Sequence, residues 1–281
     1  SLAPYCGHCF YCAIGKPNLC VNMFQTMVKA GMTDGTCRLK KNGKDLHHMA
    51  GISSFAEYAI VAEQACIRVP ETVPLEKVCL IGCGVMTGVG AAINTAAVEP
   101  GSSVVVVGCG GVGLNVIQGC VLAGASTIIG VDLLDNKLEY ARQFGATHTL
   151  NPERDELVRS VRKLTEGRGA DYAFEVIGLS KTVEQAYACT RQAGTTVVVG
   201  VGSRRDNVSI PIASFMTEKI IKGSGYGSAR PHVDMPRLVD HYMQGRLKLD
   251  EMITRTYRLE EVNDAMTALE KGEVARSVVV M

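Results

Sequence analysis

The sequence has almost no excess of either charge: 29 lysines and arginines stand against 28 aspartates and glutamates. It contains no dense basic run, which argues against nucleic acid or a membrane surface as a partner. No apolar run approaches the roughly 20 residues that span a bilayer. It also shows no secretory signal pattern, internal repeat or low-complexity segment. What is present is the composition of a globular protein, with 281 residues that suffice for two domains.

Cysteine is abundant but unevenly distributed, with four of the 11 residues in the first 20 positions and most of the others in apolar stretches. That distribution argues against a disulfide framework. It favours a reducing, cytoplasmic compartment and one local metal cluster.

The first cysteines have gaps of two, two and seven residues in a segment punctuated by glycine and proline. Four thiolates match tetrahedral Zn²⁺ and leave no open position, so the predicted site is structural. Its ligands would be Cys6, Cys9, Cys12 and Cys20. Thiols without a metal are one alternative, and an iron–sulfur cluster is another, although the ferredoxin pattern closes with a gap of three and a proline, whereas Val21 follows here. His8 is interpreted as an exposed turn residue.

A second pattern lies at 104–114, where a β-branched run is followed by Gly108, Gly110 and Gly113. The run predicts a buried parallel strand, and the apolar pattern after the glycines predicts a helix. Asp132 ends the next apolar run, 19 residues beyond Gly113. Together these features predict a dinucleotide site: the helix N-terminus faces the phosphates and the acid binds the ribose hydroxyls.

From residue 104 onward, predicted strands and helices alternate, which indicates a doubly wound parallel sheet. The predicted strands are 104–107, 127–131, 147–150, 172–177, 196–199 and 219–222. The predicted helices between them are 111–123, 135–144, 153–165 and 180–189. Asp135 is expected to cap the second helix and Gly145 to follow its end.

The flanking regions have weaker patterns. Residues 55–61 and 65–69 suggest strands, as do 277–280, and residues 234–244 and 259–271 suggest helices. Pro236 is expected in the first turn of one of these helices. His47 and His48 occupy adjacent positions, so they do not form a chelate, and both are interpreted as solvated.

Cys83 lies between two glycines, ahead of small residues that predict a helix over 87–97. Glycine on both sides opens space around the thiol, as a metal or a closely approaching ligand requires. A cysteine that only packs in the core is the alternative.

The order of these features resembles the zinc-dependent alcohol dehydrogenases of the medium-chain dehydrogenase/reductase superfamily, over nearly all 281 residues. The motifs that carry the resemblance are Cys79-Leu-Ile-Gly-Cys-Gly84, Gly108-Cys-Gly-Gly-Val-Gly-Leu114, Ile129-Gly-Val-Asp132, Phe144-Gly-Ala146, Phe174-Glu-Val-Ile-Gly178 and Val197-Val-Val-Gly-Val201. The resemblance implies an α/β fold in which a Rossmann sheet is inserted into a partial, mostly β, GroES-like catalytic domain. The expected domains are residues 1–84 with the zinc lobe at 1–20, the dinucleotide-binding domain at 85–225, and a return segment at 226–281.

The resemblance also implies individual roles. Cys83 would ligate a catalytic zinc and Thr87 would pack beside the nicotinamide. The expected cofactor contacts are Gly108, Gly110, Gly111, Val112, Gly113, Asp132, Lys137, Val201 and Arg276. Asp132 would repel a 2′-phosphate, and Leu133-Leu134 offers no arginine to bind one, so NAD is expected rather than NADP.

The implied activity is hydride transfer from a primary or secondary alcohol, or from a thiol–formaldehyde adduct, to NAD, which gives an aldehyde or ketone and NADH. Zinc would lower the pKa of the bound alcohol. The family carries two further catalytic zinc ligands, a Cys and a His, ahead of the cysteine lobe with which this sequence opens. We therefore expect about 90 upstream residues in the intact enzyme, and three protein ligands in its catalytic site. The sequence by itself is expected to be inactive, because those two ligands are not in it. The alternative is a fragment or homologue that binds NAD and structural zinc without catalysis.

The substrate is left open by the sequence. Glutathione-dependent formaldehyde dehydrogenases are similar over much of the chain, but they carry an arginine four residues past the last lobe cysteine, where Phe24 stands here. Another primary or secondary alcohol, or another thiol adduct, is an alternative, as is a polyol dehydrogenase of the same superfamily. A nucleic-acid zinc module lacks the basic surface that it needs. A homodimer or homotetramer is expected.

Overall fold

The computed structural model describes residues 1–29, 31–272 and 274–281. Its strands are β1 (Leu39–Lys41), β2 (Lys44–Leu46), β3 (Ser103–Val107), β4 (Thr127–Val131), β5 (His148–Leu150), β6 (Ala170–Glu175), β7 (Thr190–Val198), β8 (Ile220–Gly223), β9 (Ile253–Arg258) and β10 (Arg276–Val280). Its α-helices are α1 (Phe10–Ala13), α2 (Val21–Lys29), α3 (Leu75–Val78), α4 (Gly84–Gly90), α5 (Gly111–Leu122), α6 (Asp135–Gln143), α7 (Leu157–Leu164), α8 (Ser180–Cys189), α9 (Pro231–Met243) and α10 (Val262–Glu270).

The chain divides into two compact units. One is continuous, Gly84–Ser228, and the other combines Ser1–Cys83 with Ala229–Met281. We call the first the sheet unit and the second the split unit.

The sheet unit contains a six-stranded parallel sheet in the order β5-β4-β3-β6-β7-β8. The central strand β3 is buried on both faces, and Val104, Val105 and Val106 are fully inaccessible to solvent. Helices α5, α6, α7 and α8 connect successive strands. This confirms the doubly wound sheet that the alternating pattern predicts.

The strand order places a topological switch point between β3 and β6. The connection from β3 leads to β4 on one side, whereas the connection from β6 leads to β7 on the other. In open parallel sheets, ligands bind in the crevice beyond the carboxyl ends of the strands at such a point. The loops after β3 and β6 therefore border the expected cofactor crevice.

The split unit contains two small sheets among its described residues. β1 and β2 form an antiparallel hairpin whose turn residues, Asn42 and Gly43, both have positive φ, as an Asn-Gly hairpin turn requires. β9 and β10 pair in parallel, with α10 between them in the chain. β10 includes the strand predicted at 277–280.

The strands predicted at 55–61 and 65–69 are wrong. The chain is irregular over both ranges, apart from a 3₁₀ turn at Glu63–Ala65. A strand needs a hydrogen-bonded neighbour, and no described strand lies beside these ranges. Tyr58 is 91% exposed, so the apparent alternation buries no face.

Three smaller expectations are also corrected. Asp135 is the first residue of α6 and not its cap, because Leu134 holds the cap position and the Asp135 side chain binds Arg154 instead. Pro236 lies inside α9, which begins at Pro231. His48 is buried, and its Nε2 accepts a hydrogen bond from the Arg38 backbone N–H at 2.9 Å. His47 is exposed as expected.

Within the described ranges, no single helix is both long and apolar enough to cross a membrane. The consecutive helical segments Leu75–Gly82 and Gly84–Ala96 reach that length and composition only when taken together.

Candidate functional site

The four lobe cysteines converge in the split unit, with their sulfur atoms all within 4.8 Å of one another. The Sγ–Sγ distances are 3.6 Å for Cys9–Cys12, 3.6 Å for Cys6–Cys20 and 3.9 Å for Cys9–Cys20. A tetrahedral zinc with Zn–S bonds of about 2.3 Å separates its sulfurs by about 3.8 Å. The thiols therefore fit one zinc ion. In an iron–sulfur cluster four cysteines are shared among two or four irons, so the four sulfurs do not surround a single metal ion.

Local hydrogen bonds favour thiolates in this lobe. The backbone N–H groups of Cys9 and Cys6 donate to the sulfurs of Cys6 and Cys20, each at 3.3 Å. Backbone N–H groups of Cys12 and Val21 lower the pKa of Cys9 to about 6. Burial and the adjacent thiols raise the pKa of Cys12 to about 12. Four thiolates this close therefore need a cation to offset their repulsion.

In the glycine turn of the sheet unit, each of the three glycines meets a different structural requirement. Gly108 has φ +99°, in the left-handed region. A Cβ on Gly110 would meet nothing within 4 Å, so its backbone faces open space. Gly113 packs so closely that a Cβ there would overlap the carbonyl of Gly108. The turn therefore opens toward solvent at the N-terminus of α5, where the first N–H groups lack helical partners.

Asp132 is tied directly to this turn. Its Oδ2 accepts the backbone N–H of Cys109 at 2.8 Å, and its Oδ1 accepts that of Leu134 at 3.0 Å. Each carboxylate oxygen keeps a lone pair for a ribose hydroxyl. Lys137 is buried on α6, with its ammonium 5.9 Å from the ring centre of Tyr140.

Two features beside this crevice were not predicted from the sequence. Glu175 ends β6 and is fully buried, and a charged residue at the end of an apolar strand is the signal that points to it. Arg154 forms a bidentate ion pair with Asp135. The adjacent Asn151 donates to the Leu133 carbonyl at 2.9 Å, so an arginine does lie near the loop after Asp132. Arg154 lies 19 positions after Asp135 in the sequence, so no local pattern points to their contact.

The remaining candidate residues lie in both units. In the sheet unit, Thr87 is partly buried in α4 and Val201 is 93% exposed in the loop after β7. In the split unit, Cys83 and Arg276 interact electrostatically: burial of the sulfur raises the pKa of Cys83, and the Arg276 charge partly opposes this. Burial lowers the pKa of Arg276 in turn.

Cys83 does not form a zinc site with the described residues. The lobe is the only group of three or more His, Cys, Asp or Glu side chains in the described ranges that could hold a metal. A catalytic zinc needs about three protein ligands, and Cys83 is a single one. The side chain of Phe24 lies outside the described part of the structure.

Comparison with known proteins gives consistent matches. A family model described as zinc-binding dehydrogenase matches residues 111–243. The S-(hydroxymethyl)glutathione dehydrogenase of Paracoccus denitrificans is 42% identical, over 98% of this chain and 76% of its own length. An alcohol dehydrogenase zinc-binding domain protein from Burkholderia ambifaria has a TM-score of 0.94 at 35% identity, over 99% of this chain and 75% of that chain. Benzyl alcohol dehydrogenase from Acinetobacter calcoaceticus has a TM-score of 0.92 at 32% identity, over 98% and 75%.

Proposed function

The chain belongs to the zinc-binding dehydrogenase family of oxidoreductases, and from that membership we propose that it transfers a hydride from an alcohol carbon to NAD, which yields an aldehyde or ketone and NADH. The observation that carries the proposal is the 2.8 Å bond between Cys109 N–H and the Asp132 carboxylate. It joins a phosphate-binding turn to a ribose-binding acid within one unit. NAD supplies the hydride acceptor, and the protein supplies its placement.

The residues of the turn have distinct tasks in this proposal. The N–H groups of Gly111, Val112 and Gly113 at the start of α5 bind the pyrophosphate, and the open space at Gly110 admits it. Asp132 accepts the ribose hydroxyls. A 2′-phosphate would place a second negative charge against this carboxylate, which disfavours NADP. Lys137, Val201, Thr87 and Arg276 are proposed as further cofactor contacts.

The lobe of Cys6, Cys9, Cys12 and Cys20 is proposed to bind one structural zinc. Such a site closes all four metal positions and contributes to folding free energy. Cys83 is proposed as one ligand of a catalytic zinc, which needs ligands beyond those that the described residues supply.

For the substrate, we propose a primary or secondary alcohol without a glutathione group. One relative is named for S-(hydroxymethyl)glutathione and another for benzyl alcohol. The resemblance to the glutathione-dependent branch places a glutathione-binding arginine where this chain has Phe24. A phenyl ring offers no charge to a carboxylate.

We further propose that residues 84–228 are the dinucleotide-binding domain, and that the split unit is the catalytic domain.

A homodimer or homotetramer is proposed, since β8 is an edge strand and Ile212 and Met216 nearby are 87% and 86% exposed. All 11 cysteines are free thiols or lobe members, which supports a reducing cytoplasmic location. Size-exclusion chromatography with light scattering tests the oligomeric state, and cell fractionation tests the location.

The activity is tested on a protein in which this chain is preceded by the upstream residues that the family resemblance leads us to expect, because Cys83 by itself is too few ligands for a catalytic zinc. It is incubated with NAD and a series of alcohols, including benzyl alcohol and S-(hydroxymethyl)glutathione, while NADH absorbance is followed. Zinc content and NAD affinity are measured on the same preparation. NADH formation with a simple alcohol supports the proposal. Tight NAD binding with one zinc per chain and no NADH formation from any alcohol supports the non-catalytic alternative instead.

A further inference from the structure

Glu175, the last residue of β6, carries a carboxyl group with no exposed surface. Its Oε1 accepts three hydrogen bonds, from the backbone N–H of Ile177 at 2.9 Å, that of Gly178 at 2.8 Å and the Thr182 hydroxyl at 2.7 Å. Within the described residues, no Lys, Arg or His forms an ion pair with it. Burying a carboxyl in this way costs free energy that an apolar side chain would not.

The second carboxyl oxygen and the backbone of Glu175 reach the next strand. Oε2 has no hydrogen-bond partner among the described residues and lies 2.7 Å from the position that a Cβ on Gly200 would take. The Glu175 carbonyl accepts the N–H groups of Val199 at 2.8 Å and Gly200 at 3.0 Å. One residue thus fixes the loop after β6 and the start of the loop after β7.

The loop that Glu175 fixes lies directly against the glycine turn. The Val176 N–H donates to the carbonyl of Val107, the last residue of β3, at 2.9 Å. The Cγ1 of Ile177 lies 2.7 Å from the position that a Cβ on Gly108 would take. Because the switch point is between β3 and β6, residues 176–178 form the wall of the crevice that faces the turn.

We propose that Glu175 is a positioning residue for the dinucleotide, which holds residues 176–178 and the Ile177 side chain at a fixed distance from the glycine turn. This inference rests on the proposed NAD-binding function. Glu175 is too deeply buried to contact the cofactor, and it acts through the backbone N–H groups that it accepts. Removing its acceptor oxygen leaves the N–H groups of Ile177 and the buried Gly178 without a partner, so the loop moves to satisfy them.

The test compares NADH affinity among four variants, by fluorescence titration of bound NADH. The kcat and the KM for NAD are measured on the same variants in the longer protein that carries the expected upstream zinc ligands. In Glu175→Ala the loop is released, and we expect NADH Kd to rise about tenfold, a change of 1.4 kcal/mol. Glu175→Gln keeps an acceptor at Oε1, so its Kd stays within about threefold of wild type. Thr182→Val removes one of the three donors and gives an intermediate rise. The kcat at saturating NAD stays within about threefold in all of them.

Asp171→Asn is the matched control, because Asp171 is a carboxyl near the other end of the same strand. Its Oδ2 accepts the Ser103 N–H and hydroxyl, each at 2.7 Å. Asp171 precedes Glu175 by four positions, which is about 13 Å along a strand. We expect Asp171→Asn to lower thermal stability without changing NADH Kd.

Wild-type Kd in Glu175→Ala, or equal rises in Kd for Glu175→Ala and Asp171→Asn, overturns the inference. If Glu175→Ala does not fold, Thr182→Val decides: a raised Kd supports the positioning role and an unchanged Kd overturns it. If the wild-type chain binds neither NAD nor NADH, the proposed function itself fails, and the inference with it.

Discussion

The Cβ that Gly113 lacks would lie 1.8 Å from the carbonyl oxygen of Gly108. The first turn of α5 and the end of β3 therefore approach to a distance that only glycine permits. The helix N-terminus is placed at the phosphate site by this contact.

Gly113→Ala is therefore expected to destabilise the sheet unit by about 3 kcal/mol, the upper range for overpacking a dense core. It should also abolish measurable NAD binding, because the helix must move away from the turn. Denaturant unfolding and NADH titration provide the two readouts. A variant with wild-type stability would show that helix and strand can separate without cost.

Gly110→Ala should separate affinity from stability. Gly110 has φ −73° and a Cβ there would meet nothing within 4 Å, so the folded chain accommodates alanine. The added methyl group enters the space proposed for the pyrophosphate. We expect a change of under about 1 kcal/mol in unfolding free energy but a rise of about tenfold or more in NAD Kd. Unchanged affinity would place the phosphates elsewhere.

The zinc lobe predicts a metal-dependent stability. Cys20→Ser removes a buried ligand, and we expect bound zinc to fall from one per chain toward zero and the thermal midpoint to drop. Cys37→Ser, a free cysteine outside the cluster, is the control and should retain the metal. Atomic emission spectroscopy measures the zinc content, and thermal melts measure the midpoint of unfolding. Retention of full zinc by Cys20→Ser contradicts a four-thiolate site.

Asp132→Asn should weaken the preference for NAD. The amide keeps the size of the side chain and one acceptor oxygen, but it loses the charge that opposes a 2′-phosphate. We expect the ratio of NADP to NAD affinity to rise about tenfold, which corresponds to 1.4 kcal/mol. Glu139→Gln, which removes an exposed charge from α6, controls for the overall charge change. Equal ratios in the two variants would exclude Asp132 as the discriminating residue.

Acid stability should depend on Asp171. Burial alone would raise the pKa of this carboxyl, but hydrogen bonds from Ser103 and the Arg191 charge outweigh it and lower the pKa. A folded-state pKa below the unfolded value, about 3.9, stabilises the fold above that pH. This stabilisation is lost as pH falls through the folded pKa.

Asp171→Asn is consequently expected to be less stable than wild type at neutral pH, and to lose less stability between about pH 5 and pH 3. Urea unfolding midpoints across that range measure the effect. Glu71→Gln removes an exposed carboxyl, and its unfolding midpoint should change with pH in parallel with that of wild type. Parallel curves for Asp171→Asn and wild type would contradict the assignment.

The sheet could be predicted from the sequence because its signals are local. A β-branched run such as Val104–Val107 identifies a strand buried on both faces, and the observed β3 differs from the prediction by one residue. The cysteine lobe could also be predicted from the sequence, because the spacing of its ligands determines its geometry.

Long-range contacts could not be predicted in the same way. Arg154 reaches Asp135 across 18 intervening residues, and no local pattern marks that pairing. The 55–61 segment alternates as a strand does, but pairing depends on a neighbour that alternation does not specify. The buried His48 accepts a hydrogen bond from a backbone group ten residues away, and its sequence neighbours do not indicate that contact.

The division of the chain has a consequence for the order of events at the ribosome. Residues 84–228 are continuous, so their sheet can be completed as soon as they have emerged. The split unit depends on contacts such as Lys77–Asp250 at 3.4 Å and His232–Gln64 at 3.2 Å, which join segments from before and after that stretch. Nascent residues 1–83 therefore remain without their partners until 229–281 are synthesised.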